Sequence, residues 1–148
     1  MNMRIRYTLW AGHRDMDVDV HFSHPAAAVG LSTGLINVKN SVEFTDKHGL
    51  RGLWGKDWPA GAKDTIDKKQ ETVGMGIYIP DSVLRRELPA DADNYPFVIG
   101  TNGCDLSYKL TYSSDDETFG YHNSKDWFGF LKSWRRDIEH PVEVTVEK

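Results

Sequence analysis

Asp15-Met16-Asp17-Val18-Asp19-Val20-His21-Phe22 is the stretch that decides the fold, because apolar and polar residues alternate in it without a break. A period of two sends Met16, Val18, Val20 and Phe22 to one face and Asp15, Asp17, Asp19 and His21 to the other, the pattern of an antiparallel strand with one face buried. Tyr7 and Leu9 continue the alternation upstream and Ala11-Gly12-His13-Arg14 supplies a turn, so residues 4–22 read as a hairpin. Working outward, strands are expected near 28–36, 41–45, 50–54, 71–79 and 96–100. Two more follow from the alternation of Leu106, Leu110 and two tyrosines, Tyr108 and Tyr112, with polar residues, and from that of Val142, Val144 and Val146 with Glu143, Thr145 and Glu147.

One segment departs from period two. From Ser124 to Ile138, Trp127, Leu131, Trp134 and Ile138 recur at helical spacing and Phe130 widens the stripe. Ser124 suits the N-cap, Asp126 the first turn and Arg135 with Arg136 the last, each matching the helix dipole. The tryptophans share the apolar stripe, which makes them anchors on a sheet. Many short strands with turn-rich links and one C-terminal amphipathic helix give a mainly β chain. The expected fold is a single antiparallel β-sandwich domain over residues 1–148, with the helix covering an edge or an end.

Length and composition narrow the function. A chain of 148 residues fits one domain and buries roughly 70% of its unfolded surface. With 18 Lys and Arg against 22 Asp and Glu, the net charge of −4 offers no general attraction for a polyanion, so a nucleic-acid partner is not expected. No run has membrane-spanning length and no signal segment opens the chain, so a membrane partner is not expected either. Cys104 is the sole cysteine, read as a partly buried thiol near a turn, which removes an intrachain disulfide. No phosphate loop, nucleophile elbow or His-Glu-x-x-His motif occurs, and no cofactor is expected.

The acidic row Asp15, Asp17, Asp19 and His21 invites a metal reading. Same-face neighbours along a strand lie roughly 6.5–7 Å apart, too far to share one ion without other strands, so a solvated face is expected and no metal.

The chemistry concentrates between His48 and Pro80. Trp54-Gly55-Lys56-Asp57-Trp58-Pro59 reads as a loop that sets two indole faces beside an ammonium and a carboxylate, the equipment of a sugar-binding surface. A polar connector, Pro59 to Gln70, follows and reads as a loop. In Glu71-Thr72-Val73-Gly74-Met75-Gly76-Ile77-Tyr78-Ile79, alternation starts Glu71 on the apolar side, where desolvation suits a carboxyl group to proton transfer. Gly74 and Gly76 clear the opposite face for a bulky neighbour. Tyr121-His122-Asn123, before the helix, adds hydrogen-bonding groups and an imidazole that titrates near neutrality. A water-exposed Glu71 and a capping or packing His122 are the plainer alternatives.

The hexapeptide Trp54 to Pro59, the run Glu71-Thr72-Val73-Gly74, and the ending Trp127-Phe128, Leu131, Trp134 and Pro141-Val142 resemble the C-terminal portion of a family of bacterial proteins. These proteins accompany polysaccharide-degradation genes, and many are labelled only as a domain of unknown function. The resemblance spans residues 4–147 and implies a supersandwich like that of galactose mutarotase and many polysaccharide lyases. It extends to an ulvan-oligosaccharide dehydratase acting on unsaturated uronic acids. Such proteins are much longer and have an exported N-terminal half, which implies a periplasmic or secreted location and makes this chain comparable to a C-terminal half. An isolated half recovers neighbours by self-association, so a homo-oligomer is an open alternative.

The expected function is therefore a carbohydrate-active protein of lyase, dehydratase or mutarotase-like class, acting on oligosaccharides or polysaccharides that contain uronic acid. Glu71 and His122 exchange protons in this reading. Lys56 holds the substrate carboxylate, Trp54 and Trp58 stack on rings, and Asp57 and Tyr121 bind the sugar. A non-catalytic carbohydrate-binding module and a structural or assembly domain are the rivals.

Overall fold

A computed structural model describes residues 1–63 and 69–146. In chain order the elements are β1 (Met3–Leu9), β2 (Asp15–Phe22), β3 (Leu31–Ile36), β4 (Val38–Thr45), β5 (Leu50–Pro59), β6 (Thr72–Tyr78), β7 (Leu84–Glu87), β8 (Asn94–Ile99), β9 (Asp105–Ser114) and α1 (Ser124–Glu139). A six-stranded sheet has the order β1-β2-β9-β6-β5-β4, and a three-stranded sheet the order β3-β8-β7. All the pairings are antiparallel. The expected β-sandwich with a C-terminal helix is the fold observed.

The alternation of β2 does what its pattern dictates. Val18, Val20 and Phe22 enter a core between the sheets with Leu53, Ile77, Tyr95, Phe97, Ile99, Leu106 and Tyr108. A second core lies on the other face of the large sheet, where Leu50, Trp54 and Tyr78 meet Trp127, Leu131 and Trp134 of the helix. The helix thus covers a face, over β5 and β6, and not an edge or an end. The reason is the glycines. A Cβ on Gly74 would sit 2.7 Å from the Trp127 ring, and Cβ atoms on Gly76 and Gly52 would sit 2.5 and 2.2 Å from Leu131. Bare backbone at these three positions lets a ring and a leucine settle onto the sheet.

The helix is held at both ends. Asn123, one residue before the expected cap, accepts from the Asp126 N–H at 2.9 Å and donates back to the Asp126 carboxylate at 2.7 Å. At the other end Tyr78 donates to Glu139 at 2.7 Å, and Arg135 reaches both Glu139 and Asp46 of the β4–β5 turn.

Two local expectations differ from the structure, and one strand was not expected. Trp54 to Pro59 is the second half of β5, not a loop, because Leu50 to Lys56 stay in register with β6. Residues 142–146 form no strand: Val142, Val144 and Val146 are 90%, 82% and 81% exposed and have no ladder to join. The four-residue β7 carries too little pattern to be read from sequence. The expected connector from Pro59 to Gln70 lies partly outside the described residues. Cys104 is a half-buried free thiol.

Candidate functional site

Consecutive hydrogen bonds knit the ends of β5, β6 and β9 into one rim. The Asp57 N–H donates to the Glu71 carbonyl at 2.9 Å, and the Thr72 N–H donates to the Asp115 carboxylate at 2.9 Å. Asp115 returns its own N–H to the Thr72 carbonyl at 2.9 Å. The Ser114 hydroxyl donates to the Glu71 carboxylate at 2.5 Å, and His122 Nδ1 lies 2.9 Å from the Asp115 carbonyl. Glu71 and His122 are therefore anchored on adjacent residues, Ser114 and Asp115, although roughly fifty positions part them in the chain. Lys56 faces Thr72 across the β5–β6 ladder and belongs to the same rim.

Period two divides the rim into two slopes. Along β5 Trp54 packs on the helix side and Leu53 on the sandwich side, and beyond them the register with β4 shifts between Lys56 and Pro59. On β6, Glu71 falls on the side of Met75 and Ile77. On the sandwich slope the Tyr112 phenol registers both acids: burial first, and then the charges of Asp57, Glu71 and Glu117, push its pKa upward. Half of Tyr112 is exposed, so it presents an open aromatic ring on this slope. Tyr121 lies on the helix slope, packed on Trp127 and Phe130 with ring centroids 5.5 and 5.1 Å away.

The expected residues thus receive unequal surroundings. Lys56, Asp57, Glu71 and His122 are exposed at the rim, and Lys56 makes no ion pair among the described residues. Glu71 occupies the open entrance of β6 and meets solvent, so the desolvation expected from alternation does not arise. Trp54 is 9% exposed and packs in the helix core, which leaves little of its face for a ring. Trp58 is half-buried, with its indole N–H buried and unpartnered among the described residues. Tyr121 is half-buried.

Sequence reading passed over Arg14, Tyr112, Ser114, Asp115 and Glu117. Arg14 precedes β2 and bonds Glu117 at 2.5 Å and the carbonyls of Tyr112 and Phe119 at 3.2 and 3.1 Å, closing the flank of β9 that β2 leaves open. A signal did exist in the cluster Ser113-Ser114-Asp115-Asp116-Glu117. Its turn-like composition concealed its nearness to Glu71.

A hollow of about 480 Å³ opens between the sheets next to Tyr112, lined by Leu9, Met16, Ile36, Met75 and Leu110. The acidic row of β2 is engaged by neighbours: Asp15 and Asp17 by Lys109, Asp19 by Arg6, and His21 by Asp105. Among the described residues, no three His, Cys, Asp or Glu side chains gather closely enough to hold a metal ion.

A family model described as a domain of unknown function, DUF4861, matches residues 1–144. No curated protein and no solved structure matches the chain.

Proposed function

For a chain that belongs to the family described as a domain of unknown function, DUF4861, we propose a carbohydrate-active role, in a lyase, dehydratase or mutarotase-like class, at the rim of the six-stranded sheet. The observation that carries the reading is the set of hydrogen bonds that brings Asp57, Glu71 and His122 to one sheet end beside Lys56. The resemblance to proteins that accompany polysaccharide-degradation genes supports the choice of an oligosaccharide with a uronic acid. Tyr112 joins the proposed site as the exposed ring on which a pyranose face can rest, a part that buried Trp54 is poorly placed to play.

In this proposal Lys56 pairs with the sugar carboxylate and lowers the energy of the negative charge that develops next to it. One of Glu71 and His122 removes the proton on the carbon next to the carboxylate. The other protonates the departing oxygen, so that a carbon–oxygen bond breaks as a double bond forms. Asp57 accepts from ring hydroxyls. For interconversion of anomers, the same couple would shuttle protons between the ring oxygen and the anomeric hydroxyl.

The test uses oligosaccharides ending in a uronic acid, with mass spectrometry for cleavage or loss of water and NMR for anomer exchange. Glu71→Gln and His122→Gln each lower turnover on the order of 100-fold, the scale of a lost general acid or base, while glycan affinity is kept. Lys56→Met weakens uronate binding and spares neutral sugars.

A non-catalytic carbohydrate-binding module is the second reading, favoured by the exposure of Glu71, which leaves the proton-exchange couple open to water. Glycan affinity without turnover in the unmodified protein selects it. Absence of both affinity and turnover removes the carbohydrate proposal.

A further inference from the structure

The two features that the fold leaves unused are complementary. β1 closes one side of the large sheet, so one of its edges carries unpaired backbone N–H and C=O groups. Its sandwich-facing residues, Met3, Ile5, Tyr7 and Leu9, are 49%, 41%, 58% and 67% exposed, because the three-stranded sheet does not extend over them. Its other face is basic. Arg6 pairs with Asp19, whereas Arg4 faces His21 and makes no ion pair among the described residues. Against this stands Pro141-Val142-Glu143-Val144-Thr145-Val146, which has the alternation of a strand and no ladder.

We propose that the 142–146 segment of one copy of this chain adds as a seventh strand to the free edge of β1 in a second copy. A parallel register with Glu143 beside Arg4 on one face then places Val142, Val144 and Val146 beside Met3, Ile5 and Tyr7 on the other.

The occupant follows from reach and charge. The last turn of α1 is tied to Tyr78 of β6 and to Asp46 of the β4–β5 turn. From β6 to a position outside β1 is four strand spacings, roughly 19 Å. The two steps from His140 to Val142 cover about 7 Å, so a chain cannot reach its own β1. Its own β4 is nearer but guarded, since register shifts fall between Val38 and Val42 and Asn40 has a φ of 56°. Pairing β1 with another β1 in central register sets Arg6 against Arg6, which like-charge repulsion disfavours. Segment 142–146 brings the opposite charge.

Sedimentation of the full chain over a concentration series tests the inference. A dimer that grows with concentration is expected, with hydrogen-exchange protection at β1 and at Val142 to Val146 in the dimer alone. Ending the chain after His140 returns it to monomer. Arg4→Glu and Glu143→Lys, both surface changes that leave the cores intact, each weaken the dimer roughly five- to tenfold, and combining them restores it. A full chain that stays monomeric throughout, a dimer that survives truncation, charge reversals without effect, or protection of 142–146 in the monomer would each overturn the proposal.

Discussion

Lys109 shows how little of a residue's work is visible in its immediate sequence. It reads as a polar position of an alternating strand. In the fold its ammonium bridges Asp15 and Asp17 of the neighbouring strand. The Asp17 carboxyl falls below its ordinary 3.8 because Lys109 bonds it first and the Trp10 indole second, against a smaller upward push from burial. For Asp15 burial is the largest influence and acts upward. It is outweighed by Trp134, near but not in hydrogen-bonding geometry, and by Lys109 and His13. Carboxyl groups held below their unfolded values add stability above about pH 4 that disappears as pH falls through the folded values. Lys109→Met leaves two like charges side by side. It is expected to cost about 1 kcal/mol near neutrality, after allowance for solvent screening, and to move the onset of acid unfolding to higher pH. Thermal melts of both proteins between pH 2 and 7 check this, and an unchanged acid limb would refute it.

At the scale of elements, the seating of α1 depends on what three strand positions lack. Gly74 and Gly76 were legible as gaps on one face of their strand, Gly52 was not read, and the Trp and Leu stripe was legible as a helix looking for a surface. That the stripe would fill those gaps was not legible, because the two segments are about fifty residues apart and no local pattern encodes their meeting. Gly74→Ala drives a methyl group to 2.7 Å from the Trp127 ring, on a backbone that cannot retreat without disturbing β5 and β9. A loss of about 1–3 kcal/mol is expected from such overpacking, read as a lower midpoint in urea unfolding with an altered Trp fluorescence. A neutral Gly74→Ala would refute this close seating of Trp127 on β6. The same logic explains the missing strand at 142–146. Alternation supplies a strand's two faces, but a strand also needs a neighbour with free backbone groups, and this segment pairs with none.

For the whole molecule, the most buried charged tie between the sheets among the described residues is Arg51, 1% exposed and unremarkable in sequence. From β5 it bonds Glu87 at 2.7 Å, the carbonyls of Leu88 and Pro96 at 3.0 and 3.3 Å, and pairs with Glu43 at 3.0 Å. Its guanidinium also lies 4.9 Å from the centre of the Phe97 ring. Arg51→Met takes the guanidinium from Glu87, whose side chain is 9% exposed and then keeps only Thr45 and Lys47 as partners, and is expected to cost about 3–5 kcal/mol. The double change Arg51→Met with Glu87→Met recovers most of that loss, since it removes the buried charge and leaves only the part-exposed Glu43 without its partner. Chemical unfolding of the three variants decides; a double variant no better than the single would show that the carbonyl bonds carry the effect.

By itself the sequence determined the mainly β class, most strand positions and the amphipathic helix, because two- and three-to-four-residue periods are local consequences of burying one face. It also brought forward Lys56, Asp57, Glu71 and His122, groups whose chemistry is intrinsic to their side chains. Only the tertiary structure decided that Trp54 belongs to a core, that Glu71 meets water, that Ser114 bonds it, and that the helix lies on a face. Those outcomes depend on which distant strands become neighbours, and the free energy that selects neighbours is shared among the whole chain's buried contacts and hydrogen bonds.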